Sequence, residues 1–278
     1  MMSVYVREAS MKDIQNTLVE LQIEGGIATI TLNSPQTLNA LSEDMLTGLQ
    51  NALDGIAVNR DVKAVILRGA GNHFCAGHNL KEMTARRADA DKGSAYFNAL
   101  FGTCSKMMMS IVDLPQPVIA EVKGIATAAG CQLVATCDLA IAAEDARFAT
   151  SGVNIGLFCS TPMVALSRNV PRKKAMEMLL LGEFLPASKA EEMGLINRVV
   201  PAADLETASA AMAQIIVDKS PVAIKTGKKA FYEQCNMPLD AAYAYAGAVM
   251  AENMLARDAT EGINAFIDKK PMPDWTGE

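Results

Sequence analysis

Histidine is nearly absent: the chain has only His73 and His78, five residues apart, too few for a histidine-rich metal centre. No C-x-x-C pair occurs among Cys75, Cys104, Cys131, Cys137, Cys159 and Cys235, so the spacing for structural zinc is missing as well. No metal cofactor is expected. Positive charge is in deficit, with 25 Lys and Arg against 31 Asp and Glu for a net −6, which removes the global field that draws nucleic acid or anionic membrane. Nor does any stretch approach the roughly 18 uninterrupted apolar residues of a spanning helix. Nucleic acid and membrane are therefore not expected partners. Aromatics make up only 5%, yet half of the residues are hydrophobic and 20% charged, a balance that suits a sizeable core and argues against disorder. At 278 residues the chain fits one large domain with an extension better than several modules.

The leader MMSVYVREASMKDIQN lacks the continuous apolar stretch of a secretory signal. The cysteines sit inside apolar runs, and the expectation is reduced thiols in a cytoplasmic protein.

After the leader, LVELQIE (Leu18 to Glu24) and IATITL (Ile27 to Leu32) alternate around Gly25-Gly26, the pattern of a hairpin. Ser42, followed by Glu43 and Asp44, predicts a capped helix to about Val58. Buried strands are predicted at Lys63 to Leu67, Val118 to Val122 and Leu139 to Ala142, with helices at Ala95 to Ile111 and Cys131 to Thr136. Met107, Met108 and Met109 fall within the first of these helices and read as core packing. From Thr161 the signals are helical: Pro162 to Asn169, Arg172 to Leu181, Ser188 to Met193, and three long helices after Ala203, Pro221 and Pro238, with only Leu195 to Val200 extended. The fold class expected is α/β, a spiral core over residues 1–200 and a helical C-terminal region over 201–278 with a large apolar surface.

Two segments carry chemistry. In G-A-G-N-H-F-C-A-G-H-N-L-K-E-M (Gly69 to Met83) an apolar strand enters a glycine-bearing turn and then a helix start. In V-K-G-I-A-T-A-A-G-C-Q-L (Val122 to Leu133) a strand enters a run of small residues and another helix. Each junction exposes amides at a helix's first turn. Two converging N–H donors are what an enzyme needs when negative charge develops on a carbonyl oxygen.

The strings FCAGHNLKEM, GIATAAGCQLVATCDLAIA, ARFATSGVNIGL and EGINAFIDKKP, in order and spacing from about Leu18 to Pro271, resemble the crotonase (enoyl-CoA hydratase/isomerase) family. That resemblance implies a spiral of ββα units, a C-terminal helical trimerisation region, and homotrimers that often pair into hexamers. It implies a coenzyme A thioester as substrate and no permanently bound cofactor. Carried over residue by residue, it implies an oxyanion hole from the amides of His78 and Ala129. Leu38, Ala40, Ala76, Asn79 and Leu80 would line the CoA path, with Lys81 near a phosphate and Lys269 or Lys270 reaching CoA from a neighbouring subunit. For each lysine a solvated surface charge is the alternative.

Hydratases of this family use two glutamates to position and activate water, one as base while the other holds the proton. The matching positions here are Gln132 and Gly152, and an amide orients water without taking up a proton. His78 is a candidate acid-base group because imidazole titrates near neutrality, the alternative being that it lends only its amide while the ring caps the cleft. Cys131, Cys159 and Asn154 are further candidates, read first as core thiols and a backbone-satisfying loop residue. A-G-H-N with V-N-I-G also resembles the methylmalonyl-CoA decarboxylase branch, where loss of CO2 makes an enolate without a base. A-A-G-C-Q-L-V-A-T-C-D and G-L-F-C-S-T-P are closer still to enoyl-CoA hydratase domain-containing proteins, a mitochondrial and bacterial subgroup without the glutamates. The expected function is an acyl-CoA enzyme acting through an enolate, nominally a hydratase; the alternatives are a decarboxylase and a non-catalytic acyl-CoA-binding protein.

Overall fold

A computed structural model describes residues 18–278; the expectations drawn from the leader lie outside them. The alternating segments form the expected hairpin, β1 (Val19–Glu24) and β2 (Ile27–Leu32), antiparallel around Gly25 and Gly26 at φ +57° and +83°. Helix α1 (Glu43–Val58) follows, its Ser42 side chain accepting from the Met45 amide as a cap should. Strand β3 (Ala64–Gly69) then pairs in parallel with β2. Helices α2 (Leu80–Ala85) and α3 (Ser94–Asp113) lead to β4 (Val118–Val122), which pairs in parallel with β3. Next come β5 (Ile125–Thr127), α4 (Ala129–Thr136), β6 (Leu139–Ala143) and β7 (Arg147–Ala149). The remainder is α5 (Pro162–Asn169), α6 (Arg172–Leu181), β8 (Leu185–Pro186), α7 (Ala187–Glu192), β9 (Arg198–Val200), α8 (Leu205–Val217), α9 (Pro221–Gln234), α10 (Leu239–Met254) and α11 (Arg257–Ile267).

The large sheet runs β1-β2-β3-β4-β6-β9, and a small one runs β5-β7-β8. The central strands of the large sheet, β3, β4 and β6, are mainly apolar because both faces are covered, the charged exceptions being Arg68 in β3 and the buried Glu121 in β4, which accepts from the Ser209 hydroxyl. In β3, Val65 and Leu67 face the main core beneath α1, α3 and α4, while Ala64 and Ile66 face a second cluster. That second cluster is closed by Leu205, Met212 and Ala213 of α8. Helix α8 therefore belongs with the sheet, although it lies beyond residue 200, and the helices with no sheet beneath them start at α9. Among α9, α10 and α11 the only buried residue is Asp258.

Two polar knots fasten this arm. Lys228 of α9 donates to the Ile111 and Gln116 carbonyls and to Asp138 Oδ2 at 2.9, 3.1 and 2.7 Å, and Tyr232 donates to Asp138 Oδ1. Asp258 accepts from the Ser220 hydroxyl and from the amides of Thr276 and Gly277, pinning the C-terminus. Burial of Asp258 raises its pKa in part, but these donors outweigh it and hold the carboxyl below its usual range.

Met107 and Met108 are core, as expected, whereas Met109 is 53% exposed. Five cysteines are buried, but Cys235 is exposed, because it lies between Gln234 and Asn236 rather than inside an apolar run. Of LINRVV only Arg198–Val200 is strand. Four helices, not three, follow Ala203: α11 had no signal strong enough to separate it from α10. Strands β5 and β7 are three residues each and exist because they pair with one another, a contact no local pattern announces.

Candidate active site

The two chemistry-bearing segments leave the carboxyl ends of β3 and β4, where open parallel sheets bind their ligands. After β3 the chain turns at Gly71 and doubles back through Phe74 and Cys75, whose amides both donate to the Ile125 carbonyl of β5 at 3.1 and 3.0 Å. Thr127 N returns the bond to Cys75 O at 3.0 Å. The first segment is thus laced along its length to the second.

On its other side the first segment forms a short parallel ladder with residues 38–41. Ala76 N donates to Leu38 O, Leu41 N to Gly77 O and Asn79 N to Leu41 O, at 3.0, 2.8 and 3.3 Å. Because alternate residues of a strand face opposite ways, the amide of His78 points away from Leu41, towards the second segment. Leu38, Ala40, Ala76 and Asn79 line this ladder, with Leu80 and Lys81 opening α2 beside it. Leu38 and Leu80 are 40% and 49% exposed, an apolar surface facing solvent. Asn79 caps α2 by accepting from the Lys81 amide. Lys269 stands elsewhere, exposed just past α11 on the C-terminal arm.

The ladder is held by a residue that sequence reasoning passed over. Asn39, fully buried, accepts from the Ser34 amide at 2.9 Å and donates to the Ala70 and His73 carbonyls at 3.0 and 2.8 Å. The available signal was an Asn between Leu38 and Ala40, beside the CoA-path positions.

Gly77 brings the segments into contact. Its φ is +92°, and a Cβ there would lie 3.0 Å from Ala128 Cβ and 3.2 Å from Ala129 N. Gly130 is equally constrained, since its Cβ would lie 2.1 Å from the Cys75 carbonyl. Ala128 sits at φ 51°, ψ −119°, a region that favours glycine and carries a strain of about 1–3 kcal/mol. Its own amide is taken by Ala149 O at 2.9 Å, and Gln132 N makes the first bond of α4, to Ala128 O. Ahead of that bond, the amides of Ala129, Gly130 and Cys131 have no carbonyl one turn back in the helix. Helix α4 begins two residues earlier than its sequence pattern suggested, which makes Ala129 its first residue.

The side chains around this point are neutral. Both ring nitrogens of His78 are buried without a partner, and the ring meets Phe101 edge-on at 5.6 Å. Burial holds its pKa below 6.5, opposed by the nearby Leu41 carbonyl, which makes no hydrogen bond of proper geometry with the ring. Gln132 is buried with its Oε1 unpartnered. Burial pushes Cys131 up to about 12 and raises Cys159 as well, so both are thiols near neutral pH. At Gly152 a Cβ would lie 2.3 Å from the Leu157 carbonyl and 2.9 Å from Cys159 Sγ; the segment 157–159 fills the space a side chain would take. Asn154 donates to the Gly182 carbonyl at 3.0 Å, a structural bond. No group of metal-ligating side chains occurs among the described residues. Cavities of about 150 Å³ beside Tyr96 and about 510 Å³ beside Trp275 lie apart from this constellation.

Residues 22–278 match the enoyl-CoA hydratase/isomerase family model. The chain is 46% identical to enoyl-CoA hydratase domain-containing protein 3, mitochondrial, of Xenopus laevis, over 96% of this chain and 89% of that protein. The human protein of the same name is also 46% identical, over 91% of this chain and 82% of its own. A crystal structure of an enoyl-CoA hydratase from Mycobacterium smegmatis superposes with a TM-score of 0.88 at 50% identity, covering 93% of this chain and 98% of that one. The vertebrate names overturn the cytoplasmic expectation and point to mitochondria. That expectation leaned on the lack of an apolar stretch, whereas mitochondrial leaders are amphipathic and basic rather than apolar.

Proposed function

The chain belongs to the enoyl-CoA hydratase/isomerase family, and from that premise we propose that its thioester substrate places the carbonyl oxygen between the amides of His78 and Ala129 and reacts through an enolate. It is an acyl-CoA enzyme of that family; the step proposed is nominally hydration of a 2-enoyl-CoA. The observation that supports the reading is the close approach of Gly77, the residue before His78, to Ala128 and to the amide nitrogen of Ala129, the first residue of α4. Fixed amide dipoles stabilise the developing oxyanion with little reorganisation, typically by about 3–4 kcal/mol per donor. Leu38, Ala40, Ala76, Asn79 and Leu80 form the path along which the CoA arm approaches, with Lys81 near a phosphate and Lys269 or Lys270 reaching CoA from a neighbouring subunit. Coenzyme A enters as part of the substrate, and no resident cofactor is invoked. The exposed apolar side chains of the C-terminal arm, Phe231, Leu239, Tyr243 and Phe266 among them, support a homotrimer or hexamer.

The acid-base side departs from hydration with two carboxylates. Gln132 is an amide, and the space at Gly152 is filled by Leu157 O and Cys159 Sγ. Addition of water would put hydroxide on one carbon and a proton on the next, and a group other than these would have to move that proton. A second reading is favoured by the same filled space: loss of CO2 from a carboxylated acyl-CoA forms the enolate without a base. Mass spectrometry of the purified protein incubated with 2-enoyl-CoA thioesters and with methylmalonyl-CoA separates them. Enzyme-dependent gain of one water supports hydration, loss of CO2 supports the second reading, and saturable binding with neither leaves a binding protein. Absence of binding to any thioester refutes the site.

A further inference from the structure

Residues 271–278 run back along α11. The helix ends where Lys269 takes φ 54°, a left-handed conformation uncommon for a lysine, and the Lys269 and Lys270 amides donate to the Phe266 and Ala265 carbonyls at 3.2 and 2.9 Å. The chain reverses there, so the two lysines form the tip of a hairpin made by α11 and the returning strap. Trp275 lies over Gly262 in the middle of the helix, 3.0 Å from where a Cβ would stand, and its indole N–H donates to the Asp218 carbonyl, just past α8, at 2.9 Å. Met272 and Trp275 of the strap wall the cavity of about 510 Å³ together with Ile224, Met254 and Ile263.

The far end of the strap is clamped on Asp258, at the start of α11, which is 2% exposed. Its Oδ1 accepts from the Thr276 amide and hydroxyl, both at 2.9 Å, and its Oδ2 from the Gly277 amide at 3.0 Å and the Ser220 hydroxyl at 2.7 Å. The Asp258 amide in turn donates to the Glu278 carbonyl at 3.0 Å. A left-handed residue other than glycine persists only where its surroundings over-determine it, and the clamped strap supplies that constraint at Lys269.

We propose that Asp258 is a positioning residue for the thioester: by clamping the strap it fixes the tip at which Lys269 and Lys270 reach CoA. This rests on the reading that these lysines meet CoA bound by a neighbouring subunit. With the strap released, the reversal at Lys269 relaxes and binding must first order both side chains, which weakens it. Such coupling is reciprocal: if docking of the strap favours the thioester, the thioester favours docking of the strap.

Trp275 is the chain's single tryptophan, so acrylamide quenching of its emission in the full-length protein reads the strap alone. Asp258→Asn keeps one acceptor and turns an N–H2 group towards donors, and should shift the strap about tenfold or more towards release. Quenching is expected to rise, and calorimetric binding of butyryl-CoA, a thioester with no double bond to hydrate, to weaken by about threefold to fivefold. Saturating butyryl-CoA should restore the protection of Trp275, which a merely structural role for Asp258 would not produce. In a Lys269→Ala, Lys270→Ala background Asp258→Asn should cost no further affinity. Gly277→Ala is the second variant should Asp258→Asn fail to fold: at φ +78° and 3.1 Å from Pro221 Cγ, its methyl group loosens the strap and leaves Asp258 intact. Unchanged affinity with the strap released, an equal loss in the background without the lysines, or unchanged quenching in both variants overturns the positioning role and leaves the thioester site standing. Failure of the wild type to bind butyryl-CoA while Trp275 is protected refutes the thioester reading, and this inference with it.

Discussion

Placing one methyl group at Gly152 probes whether the acid-base side of the cleft is closed. The added carbon would lie 2.3 Å from a backbone carbonyl, Leu157 O, and 2.9 Å from Cys159 Sγ. The nearer of the two is main chain and cannot swing aside, and Leu157 N is itself bonded to Gly152 O at 2.9 Å; only Cys159 Sγ ends a side chain. Overpacking of this kind costs about 1–3 kcal/mol. Gly152→Ala also restricts the unfolded chain, which returns about 0.4–1 kcal/mol, so the net loss is about 1–2 kcal/mol. For a protein this large that is a fall in melting temperature of about 2–8 °C. Gly102→Ala is the control, because that glycine lies in α3 with nothing within 4 Å of the added carbon. It should stabilise by about 1 kcal/mol through helix propensity alone. Thermal unfolding followed by circular dichroism reads both. If Gly152→Ala melts at or above the wild-type temperature, segment 157–159 yields freely and the space is open to a side chain. The closure reasoning also predicts that the double variant Gln132→Glu, Gly152→Glu gains no enoyl-CoA hydration, and gain would refute it.

Ala129→Val places a branched side chain where the carbonyl must approach; it is expected to lower thioester turnover by at least a hundredfold in a coupled assay, and, because Ala129 is buried in the core, to cost about 1–3 kcal/mol of stability as well, while normal turnover of the folded variant refutes the oxyanion assignment. His78 has a folded pKa below 6.5, so between that value and 6.5 the unfolded chain binds a proton that the folded one does not. Stability should therefore be lost as pH falls below about 6.5, with a slope up to about 1.4 kcal/mol per pH unit, and His78→Gln should flatten this slope in urea titrations at pH 7, 6 and 5. Lys228→Met leaves Asp138 buried without its cation, the pair being only 7% and 14% exposed, and should cost about 3–5 kcal/mol. Burial lowers the Lys228 pKa and Asp138 opposes it; protease digestion should then cut first ahead of α9, and unchanged resistance would show that the arm is held otherwise.

Much of the molecule was legible in order. The β1–β2 hairpin, the Ser42 cap and the apolar runs of β3, β4 and β6 each follow from a period or a cap that acts within a few residues. The motif order likewise announced the family. What escaped was whatever two distant segments make together. Ile125–Thr127 is a strand because Arg147–Ala149 lies beside it, and α8 is core because it covers the far face of the sheet. Asn39 matters through partners 31 and 34 residues away.

The site divides along the same line. The residue types set in advance that an amide and a glycine stand at positions 132 and 152 and that small residues such as Ala129 meet a helix start. Only the folded chain decided that Gly77 touches Ala128, that the His78 amide turns away from Leu41, and that Leu157 and Cys159 occupy the space at Gly152. Chemistry of a side chain is carried by the residue itself, whereas direction and vacancy depend on long-range contacts whose sterics exist only once the segments have met.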